Sequence, residues 1–286
     1  MIISIASGKG GTGKTTVATN LAMSFESDVQ LLDCDVEEPN SHLFIQPSIE
    51  GVRTITTPVP EVDKEKCTLC GKCADICQFK AIVVIADTVL TFPEMCHSCG
   101  GCVEVCPEKA ITETERELGV IENGHRDALE FVHGKLRIGE AMAPPLIKKV
   151  REYTRENMLT IIDAPPGTSC PVIASMKNAD FILLVTEPTP FGLNDLKLAV
   201  GAVRILGIPC VLVINRSDTG DDQVRQYVEE EKLPVLMEIP FDRRIAEAYS
   251  RGEMIVEIYP EWKERFREMY KRIEKLSLSD MDRGCL

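Results

Sequence analysis

Eight of the 12 cysteines in this 286-residue chain fall between Cys67 and Cys106. They form two runs, Cys67-x2-Cys70-x2-Cys73-x3-Cys77 and Cys96-x2-Cys99-x2-Cys102-x3-Cys106-Pro107, related by a shift of 29 residues. Three thiolates at this spacing can wrap one corner of an iron–sulfur cubane, while the fourth projects away from it. Zinc is the competing ion, but it prefers paired C-x2-C knuckles parted by a spacer, and triplets with an outlier suit it poorly. Gly71/Gly100, Lys80/Lys109, Ala81/Ala110 and Ile82/Ile111 match at the same shift, so the segment reads as a duplicated module.

A second chemistry sits near the N-terminus. Gly8–Thr15 reads GKGGTGKT, satisfying G-x-x-x-x-G-K-[ST] directly after an apolar run and before a helical pattern. Backbone N–H groups of Gly8, Lys9, Gly10, Gly11, Thr12 and Gly13 would crowd around phosphate oxygens, helped by the positive end of the helix. Lys14 would bridge the terminal phosphates, and the Thr15 hydroxyl would complete a magnesium shell. Gly8, Gly10 and Gly13 also spell G-x-G-x-x-G, with Asp33 20 residues beyond Gly13, as a dinucleotide site requires. The Lys14–Thr15 pair favours a nucleoside triphosphate, because a dinucleotide fold has no use for that lysine. Asp163, ending another apolar run, supplies the second acid.

These groups need a scaffold. Short apolar runs at Ile2–Ala6, Val29–Leu32, Leu159–Ile162, Phe181–Val185, Val211–Ile214 and Val235–Ile239 predict strands of a parallel sheet buried on both faces. Helix-length stretches lie between them; Lys14–Phe25 puts Val17, Ala18, Leu21, Ala22 and Phe25 on one face. The alternation predicts a doubly wound, mostly parallel α/β domain. It breaks between about Val62 and Thr112, giving three segments: 1–61, the inserted cysteine module 62–112, and 113–286. Thr57–Pro60 (TPVP) is expected to be the hinge into the insert. Glu261–Leu276, with Trp262, Phe266, Met269, Tyr270, Ile273 and Leu276 at helical spacing, predicts a terminal helix packed on the core rather than one docked on a membrane.

Composition narrows the classes. With 44% apolar, 27% charged and 5% aromatic residues the chain is of globular type, and 32 basic against 45 acidic residues leave a net charge of −13. That charge argues against binding nucleic acid or an anionic membrane surface, and no apolar run is long enough for a stable membrane insertion. The start, MIISIASGKGG, lacks the marks of a signal peptide, so the cytoplasm is expected, where thiols bind metals and disulfides are disfavoured.

Lys9 gives the loop a second lysine, K-G-G-T-G-K-T-T, and this resembles the deviant Walker motif of the MinD/ParA/Mrp class of P-loop ATPases, which includes the nitrogenase iron protein. LLDCDVEEPN (Leu31–Asn40), IIDAPPGTS (Ile161–Ser169), VTEPTPFGLND (Val185–Asp195) and IPFDRRIAEAYSRG (Ile239–Gly252) resemble the same class. The resemblance implies an ATP-sandwich dimer, a homodimer or a heterodimer with a paralogue, in which Lys9 reaches the partner's nucleotide. It implies that Asp35 orients the attacking water, that Thr16 binds the α-phosphate, and that Asn215 reads the base with Pro240 beside the adenine. Magnesium would be held by Thr15, Asp33, Asp35 and Asp163. Plainer roles stand beside these: a solvated loop lysine for Lys9, and turn residues for Asp33, Asp35 and Asn215.

The cysteine runs resemble a bacterial two-cluster ferredoxin, an α+β module. In that pattern the fourth cysteine of each run ligates the other cluster. The first 4Fe-4S cluster would take Cys67, Cys70, Cys73 and Cys106, and the second Cys96, Cys99, Cys102 and Cys77. Gln78 stands where the family has proline, which loosens a turn and removes no ligand. His97, between two ligands, is read as an exposed spectator, and His42, His125 and His133 carry no pattern. Cys34, Cys210 and Cys285 read as small core or tail residues. Cys170, seven residues after Asp163, matches the offset of a dimer-bridging ligand in the nitrogenase iron protein, although a second such ligand is missing.

An ATPase and a two-cluster module in one chain imply ATP, ADP, Mg2+ and two 4Fe-4S clusters as cofactors. The expected function is an ATP-gated electron carrier acting on a redox or iron–sulfur acceptor protein. The alternatives are an Mrp-type iron–sulfur carrier or assembly factor, and a MinD/ParA-like positioning ATPase, which leaves the clusters without a job.

Overall fold

The computed structural model describes residues 1–281, so Cys285 lies outside the described residues. β1 (Ile2–Ala6) leads into α1 (Lys14–Ala22), and β2 (Val29–Asp33) into the short α2 (Ser41–Ile45). A long strand β3 (Ser48–Val62) precedes the cysteine segment, which contains α3 (Lys72–Ile76), β4 (Ile82–Ile85), β5 (Thr88–Thr91) and α4 (Gly101–Glu104). β6 (Ile111–Arg126) and β7 (Leu129–Leu136) follow, joined by the two-residue turn Asp127–Ala128, and then α5 (Ala143–Arg151). Strand and helix next alternate through β8 (Leu159–Asp163), α6 (Cys170–Met176), β9 (Phe181–Thr186) and α7 (Pro190–Leu206). The alternation continues through β10 (Cys210–Asn215), α8 (Gln223–Glu230) and β11 (Val235–Ile239). Three helices come last: α9 (Arg243–Ser250), α10 (Ile255–Ile258) and α11 (Glu261–Met281).

The chain divides into two compact units: Met1–Val52 with Ile121–Lys135 and the chain from Ile147 onward, and Arg53–Val120 with Leu136–Leu146. The segment expected as an insert at 62–112 falls inside the second.

In the first unit the strands form one sheet in the order β11-β10-β9-β1-β8-β2-β7-β6-β3, to which β3 contributes its residues up to Val52 and β6 those from Ile121. β1 pairs in parallel with β8 and β9, β2 with β7 and β8, and β10 with β9 and β11. Each of the six apolar runs is one of these strands, with ends shifted by at most one residue. Such runs carry no polar face because helices cover both sides. On one side Val17, Ala18 and Leu21 of α1 and Trp262, Phe266 and Ile273 of α11 share a core with Ile3, Leu31 and Ile161. On the other, Val172, Leu196 and Val200 from α6 and α7 pack on Ile182, Leu184 and Leu212. Each fully buried aliphatic or aromatic side chain contributes roughly 1.5–3 kcal/mol. α11 is therefore a core helix, and among the described residues no helix is long and apolar enough to cross a membrane.

Three differences from the sequence reading have physical causes. α1 stops at Ala22, three residues short of Phe25, where Ser24 Oγ turns back onto the carbonyl of Asn20 (2.7 Å). β3, β6 and β7 carry no continuous apolar run: β3 is the edge strand and is largely exposed, while β6 and β7 alternate buried with exposed or half-buried residues over parts of their length. Thr57–Pro60 is not a hinge but the interior of β3. Proline is tolerated there because an edge strand loses no ladder bond when an N–H is missing.

In the second unit the duplication is visible in the backbone. Leu69 and Ser98 (φ 57° and 53°), Gly71 and Gly100 (80° and 69°), and Lys80 and Lys109 (54° and 51°) occupy the left-handed region in pairs, each pair 29 residues apart. α3 and α4 start at the same shift, and β4 pairs antiparallel with β5. The core is small: Cys73, Ile82 and Ile111, with Val62, Val84 and Val103 packed against it. A core of that size leaves much of the stability to whatever the cysteines hold.

Candidate functional site

In the first unit a cavity of about 420 Å³ is lined by Gly10, Gly11, Gly13, Lys14, Thr15 and Thr16. Asp35, Asn215 and Pro240 share its wall, with Asn40, Arg216 and Tyr249. Gly13 caps α1 at φ 94°, a conformation that only glycine adopts without strain, and a Cβ there would come within 2.5 Å of Asn215 Nδ2. Asn215 donates that nitrogen to the carbonyl of Thr12 (2.9 Å), so it braces the phosphate loop as well as lining the cavity. Gly8 lies outside the wall, packed so closely on α7 that a Cβ would meet Asp195 O at 2.2 Å. Lys9 is also outside; its Nζ pairs with the buried Glu187 (3.5 Å), which pairs in turn with Arg216 (2.9 Å).

The three aspartates differ. Asp33 and Asp163 end adjacent parallel strands in register. Asp33 accepts N–H bonds from Asp35 (3.1 Å), Asn40 (3.2 Å) and Ser41 (3.0 Å), so both of its oxygens hold the loop that leads to α2. Asp163 Oδ2 accepts from Ser41 Oγ (3.0 Å), whereas its Oδ1 is buried without a hydrogen-bond partner among the described residues. Burial, and then the facing Asp163, hold the Asp33 carboxyl well above the usual range. Burial and Asp163 likewise push Asp35 up to about 6, against the pull of Lys14. Asp163 is raised by burial, opposed by the Thr15 hydroxyl, Lys14 and Ser41. Burial lowers the Lys14 ammonium, with Asp163 and Asp35 opposing. Three desolvated carboxyls against one ammonium, with an orphaned carboxylate oxygen beside Thr15, make a site that a divalent cation would relieve. Magnesium fits at Thr15 and Asp163, with Asp35 open to the cavity; Asp33, expected as a further ligand, does not fit that role, because both of its oxygens are taken by backbone N–H groups.

In the second unit two cavities are walled by cysteines. One is lined by Cys77, Cys96, Cys99 and Cys102; the other by Cys67, Cys70, Cys73 and Cys106. Each wall takes three cysteines from one run and the fourth from the other. Backbone amides point at thiol sulfurs with the same periodicity: Ala81 N donates to Cys77 Sγ and Ala110 N to Cys106 Sγ, both at 3.3 Å. For Cys77, burial raises the thiol, but N–H groups of Phe79, Ala81, Ile82 and Lys80 outweigh it and the net direction is down, toward thiolate. Among the described residues no group of three or more His, Cys, Asp or Glu side chains is placed to hold a single metal ion. Two four-sulfur cradles, each supplied by both runs, fit a polynuclear cluster. His97 is not a bare spectator: its ring stacks on Phe79 (3.4 Å between centroids), and both rings line the first of these cavities. Cys34 is buried, Cys210 partly so, and Cys170 is exposed at the first residue of α6.

Sequence reasoning missed Ser41, Glu187 and Arg216, together with the Glu122–His133–His42 row described below. Glu187 and Arg216 sit inside or next to stretches already singled out, where their charge was the available signal. Ser41 offered none, since its role depends on where α2 falls.

Residues 3–256 match the CobQ/CobB/MinD/ParA nucleotide binding domain. An uncharacterized protein of Methanocaldococcus jannaschii is 31% identical over 280 residues, covering 96% of this chain and 97% of its own. An iron–sulfur cluster carrier protein of Aquifex aeolicus is 26% identical over 283 residues, covering 91% of this chain and 63% of its own. The septum site-determining protein MinD of Pyrococcus horikoshii, solved with Mg-ADP, superposes with a TM-score of 0.61 at 20% identity over 96% of both chains. The glycine loop, the parallel sheet and the match over most of its length agree: the chain belongs to the CobQ/CobB/MinD/ParA nucleotide-binding domain family.

Proposed function

We propose that this protein is an ATP-hydrolysing switch that works as a dimer and couples its nucleotide state to electron transfer at two 4Fe-4S clusters. Cys67, Cys70, Cys73 and Cys106 would hold one cluster, and Cys96, Cys99, Cys102 and Cys77 the other. The observation that carries this is the pair of cysteine-walled cavities in the same chain as a cavity lined by the phosphate loop. When bound, the clusters supply one-electron chemistry that no side chain here provides.

The chain's own residues do the rest. Loop amides and Lys14 neutralise the phosphates, and Thr15 and Asp163 hold the magnesium shell. Asp35 orients a water whose oxygen bonds to the γ-phosphorus as the bond to the ADP oxygen breaks; the water's proton ends on inorganic phosphate or solvent. Thr16 supports the α-phosphate, with Asn215 and Pro240 at the base end of the cavity. Lys9 leaves Glu187 to reach the partner's nucleotide, which makes turnover depend on dimerisation.

An iron–sulfur carrier is the second reading, favoured by the exposure of Cys70 and Cys99 and by likeness to the Aquifex aeolicus protein. Complete sets of four thiols favour resident clusters over transferable ones. Anaerobic purification tests both: about eight irons per chain with ATP turnover is expected. Retention of that iron on mixing with an apo acceptor supports the redox role, and its loss to the acceptor supports delivery. A colourless, zinc-filled protein would overturn both.

A further inference from the structure

Helix α2 is tied to the nucleotide cavity at its first residue, where Ser41 Oγ donates to Asp163 Oδ2 and Ser41 N to Asp33 Oδ2, both at 3.0 Å. Strands β6 and β7 each hold the same helix at one further point. Arg126, the last residue of β6, donates to the carbonyls of Phe44 (3.3 Å) and Ile45 (3.2 Å), which the helix leaves open at its C-terminal end. Further back on β6, Glu122 Oε2 accepts from Nε2 of His133 on β7 (2.7 Å) and from Lys135 (2.9 Å). The His133 ring packs on His42 of α2 with centroids 5.0 Å apart.

The chemistry of this row is unusual. Ionised Glu122 fixes the proton of His133 on Nε2, leaving Nδ1 a bare acceptor. That nitrogen and Nδ1 of His42 are both buried without a hydrogen-bond partner among the described residues. Burial pushes both imidazoles down, so both are neutral near pH 7. The two rings are close enough that a small shift of α2, letting His42 Nδ1–H donate to His133 Nδ1, would give both nitrogens a protein partner. Such a second seat for α2 would give the helix the two arrangements that a coupling element needs.

We propose that Glu122, His133 and His42, with Arg126, are positioning residues through which β6 and α2 move together, setting whether Ser41 engages Asp163. β6 begins at Ile111, five residues after Cys106, so the row joins the strand leaving the cysteine module to the carboxylate that serves the nucleotide. This rests on ATP hydrolysis at that cavity and names the element that regulates it.

The test uses the full chain with its iron, prepared anaerobically. In His133→Phe and in Glu122→Ala, kcat for ATP is expected to fall about 10- to 100-fold while KM stays within about twofold. Glu122→Gln keeps an acceptor for His133 and is expected to retain most of kcat. Hydrogen–deuterium exchange supplies the second readout: ATP alters amide exchange in the β6–β7 hairpin of the wild type, and this response is lost in both disrupting variants. If His133→Phe does not fold, the Glu122 pair decides. Wild-type protein with no ATP turnover overturns the ATPase assignment itself. Turnover in the wild type, with kcat and the exchange response preserved in Glu122→Ala, overturns only the positioning row.

Discussion

Asp35→Asn is expected to stabilise the nucleotide-free protein while stopping ATP hydrolysis. Burial, and then the facing Asp163, raise this carboxyl from an ordinary 3.8 to about 6, so the folded state binds its proton more tightly than the unfolded chain does. That gap corresponds to about 3 kcal/mol. The sign follows: the stability is fully present below about pH 4, is lost as pH rises through about 6, and stays lost above it. Asparagine fills the same space without ionising, so the variant escapes the loss. Urea unfolding without nucleotide or magnesium reads the difference, and Trp262, the sole tryptophan, buried on α11, is the reporter. The variant's advantage should be near zero at pH 4 and level off at about 3 kcal/mol by pH 7.5. A variant no more stable than wild type at pH 7.5, or an advantage constant across that range, would refute the claim that desolvation strains this carboxylate.

Other expectations follow from the same geometry. Gly13→Ala forces a left-handed residue to carry a Cβ against Asn215, a strain of about 1–2 kcal/mol, and should weaken ATP binding by about tenfold in calorimetry. Lys14→Ala should abolish nucleotide binding, whereas Lys9→Ala should bind ATP yet fail to dimerise or turn over; a dimeric, fully active Lys9→Ala removes the trans role. Cys106→Ala should remove the cluster whose other ligands lie in the first cysteine run, leaving about four irons per chain. Low-temperature electron paramagnetic resonance should then show a residual signal different from that of Cys102→Ala. Identical residual signals would overturn the crossed ligand sets.

How much of this was legible beforehand depended on burial. The central strands announced themselves because both faces are covered, so Ile2–Ala6 and Leu159–Ile162 needed no partner to be recognised. β3 was invisible as an apolar run because an edge strand keeps polar residues, and β6 because stretches such as Thr112–Glu115 are exposed although the strand is paired. With those strands went Glu122 and His133, whose meaning lies in a cross-strand contact between residues 11 apart in sequence. The phosphate loop and the cysteine runs were readable because their chemistry depends on local spacing. The division of labour among Asp33, Asp35 and Asp163 was not, since it turns on which oxygens the α2 loop consumes. Asn215, expected as a base reader or a turn residue, lines the cavity and braces the Thr12 carbonyl, a contact across 203 residues that spacing does not announce.

Coupling between the two units is tested most directly by an anaerobic potentiometric titration, followed by electron paramagnetic resonance, of the iron-loaded protein without nucleotide, with ADP and with ATP. The midpoint potential of at least one cluster, or its rate of reduction, is expected to change when ATP is bound and to return once hydrolysis is complete. Identical potentials and rates in all three states, in a protein that binds and hydrolyses ATP, would contradict it.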